Sequence, residues 1–302
     1  MGVETRWVTF DLDGTLADSP FARVVMPWLH DCLLQRGVAS PRDALRQEHT
    51  RRLEAGDDVA AYHWDDIASA VLGAQGEFAP PAPPALPVPP TLPMPIVEAM
   101  RGELKSDIAA FPLYADVAPV LADLRERGFS LAVLSNGHVG YQRTLLELMG
   151  VIGSFDLILG PDNAGSAKPD VGMFAHGLLA GRIALHVGDL LTQDVQAARL
   201  AGIQAAWVAR QLAPAAGQQD GNDVRDAGGT GGTGENTDSD WLHLAPCERP
   251  RMALASGWLD AQVTRELAAL GRARTIGPLD EAADQVPDAI ILQMDEILSL
   301  LP

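Results

Sequence analysis

Residues Trp7 to Ala17 read W-V-T-F-D-L-D-G-T-L-A and constrain the fold more than any other stretch. Val8, Thr9 and Phe10 are β-branched or aromatic and read as a first strand. The strand runs straight into two carboxylates, Asp11 and Asp13, and then into Gly14 and Thr15. Paired acids and a glycine suit a core badly. They suit the carboxyl edge of a parallel sheet, where α/β folds place their ligands. Alone, the stretch also reads as a strand entering an Asp/Gly turn. Later strand ends have to decide between the two.

Three further stretches supply complementary groups. S-L-A-V-L-S-N-G, residues 130–137, carries an apolar strand from Leu131 to Leu134 that stops at Ser135-Asn136-Gly137 and gives way to a helix. A hydroxyl and fresh backbone N–H groups at such a turn can hold a phosphate oxygen. Phe155 to Leu159 reads as another strand, followed by G-P-D-N-A-G-S-A-K-P-D and a helix from about Val171. Pro169 is expected at the first helical position, with Lys168 at the helix entrance. A lysine there opposes the helix dipole, so an anionic site is the natural reason for it. Ile183 to Val187 is a fourth strand, leading to Gly188, Asp189 and, in the first turn of a helix over about 192–201, Asp194. Gln204 to Ala209 makes a fifth strand around Trp207.

Between the first strand and the next lies a block of helical pattern. Phe21, Val24, Val25, Trp28, Leu29, Leu33 and Leu34 form a stripe over 19–38, and 41–54 and 57–73 also read as helices. Arg23, His30, Arg42 and His63 are its polar candidates, each read foremost as part of a solvated face. Residues 79–95 hold too many prolines for a helix and read as a stiff extended connector. A helix to about Ala110 and another over Val117 to Arg127 follow. From about 211 the composition turns to Gln, Gly, Asp and Thr, which reads as solvated chain. Residues 254–270 allow one helix, and Ala289 to Leu292 allow a short closing strand with a helix behind it.

Lys and Arg number 22 against 40 Asp and Glu, a net charge of −18, which argues against binding a nucleic-acid backbone. Two cysteines, Cys32 and Cys247, give no metal-ligand spacing. No apolar run reaches membrane-spanning length and the first strand begins almost at once, so a cytoplasmic protein with no membrane partner is expected.

Five apolar strands alternating with helices imply an α/β fold, a doubly wound parallel sheet with right-handed crossovers. All strand carboxyl ends then face one edge, where Asp11, Asp13, Ser135 and Asp189 converge and Lys168 reaches in. Acids that close together repel one another unless a cation is present. Partly open oxygen ligands favour Mg²⁺, which also takes phosphate oxygens.

D-L-D-G-T, L-S-N-G, A-K-P and H-V-G-D-L-L-T-Q-D resemble, in order and spacing, the four motifs of the haloacid dehalogenase-like hydrolase superfamily. The resemblance implies a Rossmann-like core with an inserted all-helical cap, Mg²⁺ as cofactor and an aspartyl-phosphate mechanism. It implies Asp11 as nucleophile and Asp13 as general acid/base, whose backbone carbonyl also binds the metal. Ser135 and Asn136 N–H would hold the phosphoryl group, Lys168 would offset its charge, and Asp189 would complete the metal ligands. Asp194 would act from behind them or through a metal-bound water. An acid at position 13 suits a phosphatase, because a halide leaving group needs no proton.

The domain boundaries follow. Residues 1–16, 109–210 and 281–302 are expected to form the core, 17–108 the cap with its Pro-rich connector 79–95, and 211–280 a Gly-rich, largely flexible insertion. Replacing 212–278 by a short loop is then expected to leave stability near wild type. The expected function is hydrolysis of a small-molecule phosphomonoester by a monomer or homodimer. A sugar phosphomutase of the same superfamily and, from another class, a catalytically idle interaction module are the alternatives.

Overall fold

The computed structural model describes residues 4–75, 91–177, 179–212, 240–269 and 286–302. Most of the Pro-rich connector and the Gly-rich stretch lie outside them. The strands are β1 (Arg6–Phe10), β2 (Ser130–Leu134), β3 (Leu157–Leu159), β4 (Arg182–Gly188), β5 (Ala205–Val208) and β6 (Ala289–Ile291). They form one parallel sheet in the order β3-β2-β1-β4-β5-β6. The order reverses at β1, whose neighbours are β2 and β4. A crevice opens at the carboxyl ends of such a pair.

Successive residues of each strand point to opposite faces, and both faces are buried. Val8, Phe10, Leu131, Val133, Leu185, Val187 and Ile291 belong to one apolar cluster. Trp7, Ala132, Leu134, Trp207 and Ile290 belong to the other. The helices are α1 (Met26–Leu34), α2 (Pro41–Glu54), α3 (Asp58–Ala61), α4 (Trp64–Gln75), α5 (Ile96–Arg101), α6 (Lys105–Ile108) and α7 (Val117–Glu126). After them come α8 (Val139–Leu148), α9 (Pro161–Ala164), α10 (Gln196–Leu200), α11 (Arg249–Ala255) and α12 (Trp258–Ala269).

Helices α1 to α6 make up the helical block described between β1 and α7. The chain enters and leaves it through a paired neck: Ala17 bridges Leu113, and Tyr114 N–H donates to Leu16 C=O at 3.0 Å. Arg210, just past β5, staples this neck by donating to both carboxylate oxygens of Asp116 and to Thr15 C=O.

Several local expectations change. The stripe over 19–38 begins with a wide π-turn, Phe21–Val25, before α1. The segment 57–73 breaks at Tyr62-His63 into α3 and α4, and the single helix allowed over 254–270 is α12, which begins at Trp258 behind a separate helix α11. Pro169 is not the first helical residue. The turn after it is a short 3-10 turn, Val171–Met173, capped by Asp170, whose carboxylate accepts from Gly172 N–H. A side-chain cap at Asp170 starts that turn two residues later than a proline start would.

The expectation of a largely flexible 211–280 also needs correction. Within it, α11 and α12 pack on the Trp207 face of the sheet and bury Ala253, Leu259 and Val263 completely. Their apolar residues fall on one face at helical spacing, a signal diluted by the Gly-rich sequence before them. The last strand closes the far edge, with Ala206, Trp207 and Val208 in register with Ala289, Ile290 and Ile291.

Candidate active site

The register between β1 and β4 sets Phe10 beside Val187, and Asp11 N–H donates to Val187 C=O at 2.9 Å. The two strands therefore release Asp11 and Asp189 side by side at the sheet's reversal point. Gly14 makes this closeness tolerable. Its φ is +83°, and a Cβ there would stand 2.2 Å from Asp189 Oδ2.

The carboxylates of Asp11, Asp189 and Asp194 each offer an oxygen within 4.8 Å of the others. Lys168 is buried beside them. Its Nζ donates to Asp11 Oδ1 at 2.8 Å, to Leu134 C=O at 2.8 Å and, in a shorter contact, to Asp194 Oδ1. Asp194 is further engaged by Leu190 N–H at 3.0 Å and by His186 Nε2 at 3.4 Å. Burial lowers the pKa of His186, which favours the neutral ring. With the proton on Nε2, it donates to Asp194 while Nδ1 accepts from the Thr9 hydroxyl at 2.9 Å.

These surroundings separate the acids. Burial pushes Asp11 up to about 7 although Lys168 pulls the other way. Asp189 is raised well above its ordinary value by burial and by the charges of Asp11 and Asp194. Burial opposes ionisation of Asp194 too, but Lys168 and His186 hold it at about 2. Asp13 is lifted by burial to about 6, against the Phe21 N–H and Lys168. Its Oδ1 is buried with no protein partner among the described residues. An acid near neutrality with one unengaged oxygen is equipped to pass a proton to and from a ligand.

Ser135 and Asn136 follow β2 directly. Ser135 N–H donates to Leu159 C=O, its hydroxyl oxygen accepts from Gly137 N–H at 3.5 Å, and the residue lines the cavity. The Asn136 side chain clasps the Lys168 backbone from both sides, donating to its C=O at 2.9 Å and accepting from its N–H at 2.7 Å. That clasp positions Lys168 across 32 residues of sequence.

The cavity above these groups holds about 330 Å³. Asp11, Asp13, Ser135, Asn136, Asp189 and Asp194 all line it, and Lys168 reaches it through Asp11 and Asp194. Phe21, Tyr62, Trp64 and Tyr141 form its aromatic walls, which the sequence did not disclose. The four polar candidates of the helical block, Arg23, His30, Arg42 and His63, are not among its lining residues. Arg23 pairs with Asp18 at 3.0 Å, and His63 packs edge-on against His138. Gln142 was also missed. It is almost fully buried, lines the cavity and leaves Oε1 without a protein partner among the described residues. Its Nε2 covers Gly137 so closely that a Cβ there would come within 2.0 Å.

The acid cluster fits a hard divalent cation. Two carboxylates with raised pKa values meet at the bottom of an open cavity with a single buried ammonium nearby.

Comparison with known proteins follows the same lines. The sequence model described as haloacid dehalogenase-like hydrolase matches residues 5–202. A phosphoserine phosphatase of Thermus thermophilus is 41% identical over 108 residues, covering 34% of this chain and 43% of that relative. The chain thus spans less than half of that relative's length. A phosphoglycolate phosphatase of Cereibacter sphaeroides is 30% identical over 204 residues, covering 65% of this chain and 82% of the relative. A HAD phosphatase structure from Thermococcus onnurineus aligns with a TM-score of 0.51 at 23% identity, over 70% of this chain and 90% of that one. That last likeness is one of fold.

Proposed function

The chain belongs to the haloacid dehalogenase-like hydrolase family, and on that premise we propose that it is a Mg²⁺-dependent phosphatase of small-molecule phosphomonoesters working through an aspartyl-phosphate. The observation that carries the reading is the pairing of Asp11 with Lys168 at 2.8 Å, beside Asp13 with its unengaged oxygen and Asp189 in the same cluster.

In this reading an Asp11 carboxylate oxygen attacks phosphorus, and the bond to the ester oxygen breaks. Asp13, whose pKa is lifted by burial to about 6, gives its proton from the protonated form to the departing alkoxide. Asp13 then takes a proton from water as that water attacks the aspartyl-phosphate, which releases inorganic phosphate and restores Asp11. Ser135 and the Asn136 N–H hold phosphoryl oxygens. Lys168 offsets the approach of an anionic nucleophile to an anionic ester, a large part of the barrier in phosphoryl transfer. Asp11, Asp189 and the Asp13 backbone carbonyl would hold Mg²⁺, which when bound supplies Lewis-acid neutralisation of phosphoryl charge. Asp194 has its oxygens occupied by Lys168, His186 and Leu190 N–H, so we assign it to holding Lys168 rather than to the metal.

The organisation proposed with this chemistry keeps residues 1–16, 109–210 and 281–302 as the core and 17–108 as the cap. Within the 211–280 insertion, 240–269 packs on the core. The aromatic walls that the cap contributes to the cavity, Phe21, Tyr62 and Trp64, support its role in choosing the leaving group.

Purified protein assayed with Mg²⁺ against a panel of phosphate esters tests the reading. Wild type turns over and is inhibited by beryllium fluoride, while Asp11→Asn has no turnover. Full activity in Asp11→Asn would sink the mechanism.

A further inference from the structure

Helix α12 lies beyond residue 202, where the family match ends, yet it reaches the loop that carries two of the clustered acids. Glu266 is 8% exposed and its Oε2 accepts from Thr192 N–H at 2.9 Å and from the Thr192 hydroxyl at 2.9 Å. These donors open the π-turn Leu191–Val195, which begins two residues after Asp189 and contains Asp194. An unsatisfied N–H at a helix start is ordinarily met by a side chain just before it. Here Leu190 occupies that position and provides no side-chain cap. The acceptor comes instead from a residue 74 positions away.

A second contact from the same helix converges on the same loop. Trp207 donates its indole N–H to Asp189 C=O at 2.7 Å, and its ring packs at 5.3 Å against Trp258, the first residue of α12. Gln262, one turn before Glu266, donates to Glu266 Oε1 at 3.1 Å and fixes the carboxylate's orientation. Both ends of α12 are thus tied to the segment 189–195, one through a carboxylate and one through an aromatic pair. A buried carboxylate so near other acids is costly unless its hydrogen bonds have a use. Packing alone would favour an apolar residue there.

We propose that Glu266 is a positioning residue for the metal site, serving as the missing N-terminal cap of the turn that presents Asp189 and Asp194. This rests on the metal-dependent reading given above. It assigns to the C-terminal helices a part in the active site: they set the spacing of the acid cluster while touching neither substrate nor metal.

The test compares Glu266→Ala, Glu266→Gln and Val263→Ala. Val263 is fully buried on the same helix and shares only its packing. Two readouts are used, hydrogen exchange of the peptide spanning 189–196 and direct Mn²⁺ binding by calorimetry or electron spin resonance. Glu266→Ala is expected to speed exchange of the Leu191 and Thr192 amides and weaken Mn²⁺ binding by about tenfold, as for other groups that orient metal ligands. Glu266→Gln keeps an acceptor oxygen and should recover most of both. Val263→Ala should lower the melting temperature while leaving metal affinity at the wild-type value. The proposal is overturned if Glu266→Ala leaves the exchange of 189–196 unchanged, or if Val263→Ala loosens the metal as much as Glu266→Ala does. Wild-type protein that binds no Mn²⁺ would instead count against the metal-dependent reading itself, and with it this role for Glu266.

Discussion

The ammonium of Lys168 donates to Oδ1 of Asp11 across 2.8 Å, joining residues 157 positions apart. Both side chains are buried, and the same ammonium serves Asp194. Removing it strands two carboxylates without their counter-charge. Lys168→Met should therefore destabilise the protein by about 3 kcal/mol or more, the range for breaking a buried ion pair from one side. Hydrolysis should fall at least a hundredfold as well, about the scale of losing one transition-state charge partner. Urea unfolding and steady-state kinetics measure the two effects. A variant as stable as wild type would mean that the pair contributes nothing to the fold.

The raised acids give the metal-free protein a definite response to pH. Asp11 is raised from 3.8 to about 7 and Asp13 from 3.8 to about 6, so between those values the folded state holds protons that the unfolded chain has released. Stability then falls as pH rises through that window, by up to about 1.4 kcal/mol per unit for each group. His186, with its lowered pKa, works in the opposite sense only below its ordinary 6.5. Protein in chelator should accordingly melt at a lower temperature at pH 7.5 than at pH 5.5, and Asp13→Asn should flatten the slope. Added Mg²⁺ should reverse the trend. A chelated protein that gains stability over the same range would contradict the raised values.

Tyr141 donates to Asp65 Oδ2 at 2.7 Å, and Asp65 Oδ1 accepts from Ile96 N–H at 2.9 Å. One carboxylate thus ties the helix after β2 to two points of the cap, helped by His138 Nε2 against Val59 C=O at 2.8 Å. Tyr141→Phe should cost about 1.5–3 kcal/mol of cap docking, the usual range for a hydrogen bond to a charged group. Because Tyr141 also lines the cavity, KM should rise more than kcat falls. Unchanged KM across a phosphate panel would remove the latch from the account.

Replacing 212–278 with a short Gly/Ser loop, harmless on the sequence reading, should now unfold or strongly weaken the protein. It deletes the buried Leu259 and Val263 and uncovers Trp207. Each buried aliphatic side chain contributes about 1.5–3 kcal/mol. Ile290→Ala in the closing strand should cost about 2–5 kcal/mol by leaving a cavity. Melting curves of both proteins check this, and a wild-type melting temperature for the loop replacement would restore the flexible reading.

The strand ends were legible because chemistry and periodicity coincide there. An apolar run that stops at Asp11, Ser135 or Asp189 announces both a buried strand and a polar edge. Lys168 was legible through its awkward place on the chain, though the turn after it proved to start at Val171, capped by Asp170. Phe21, Tyr62, Trp64 and Tyr141 were not, since aromatic residues at helical spacing look the same whether they face a core or a cavity. Gln142 hid for a related reason: a glutamine on a helix reads as solvent-facing, and only the tertiary fold turns it over Gly137. Glu266 could not be placed at all. Its partner Thr192 is fixed by how α12 lies on the sheet, which no local pattern encodes.

The strand order has a consequence for the birth of the chain. β5 ends at Val208 and its neighbour β6 begins at Ala289, about 80 residues later. At a synthesis rate of roughly 5–20 residues per second, that is a delay of about 4–16 s. Throughout it, a nascent chain already carrying Asp11, Asp13, Ser135, Lys168 and Asp189 has an open apolar edge at Ala205–Val208, the kind of strand that pairs with any neighbour offering one. Ribosome-bound chains arrested between these two strands should recruit holdase chaperones, and full-length chains should shed them once Ala289–Ile291 has docked.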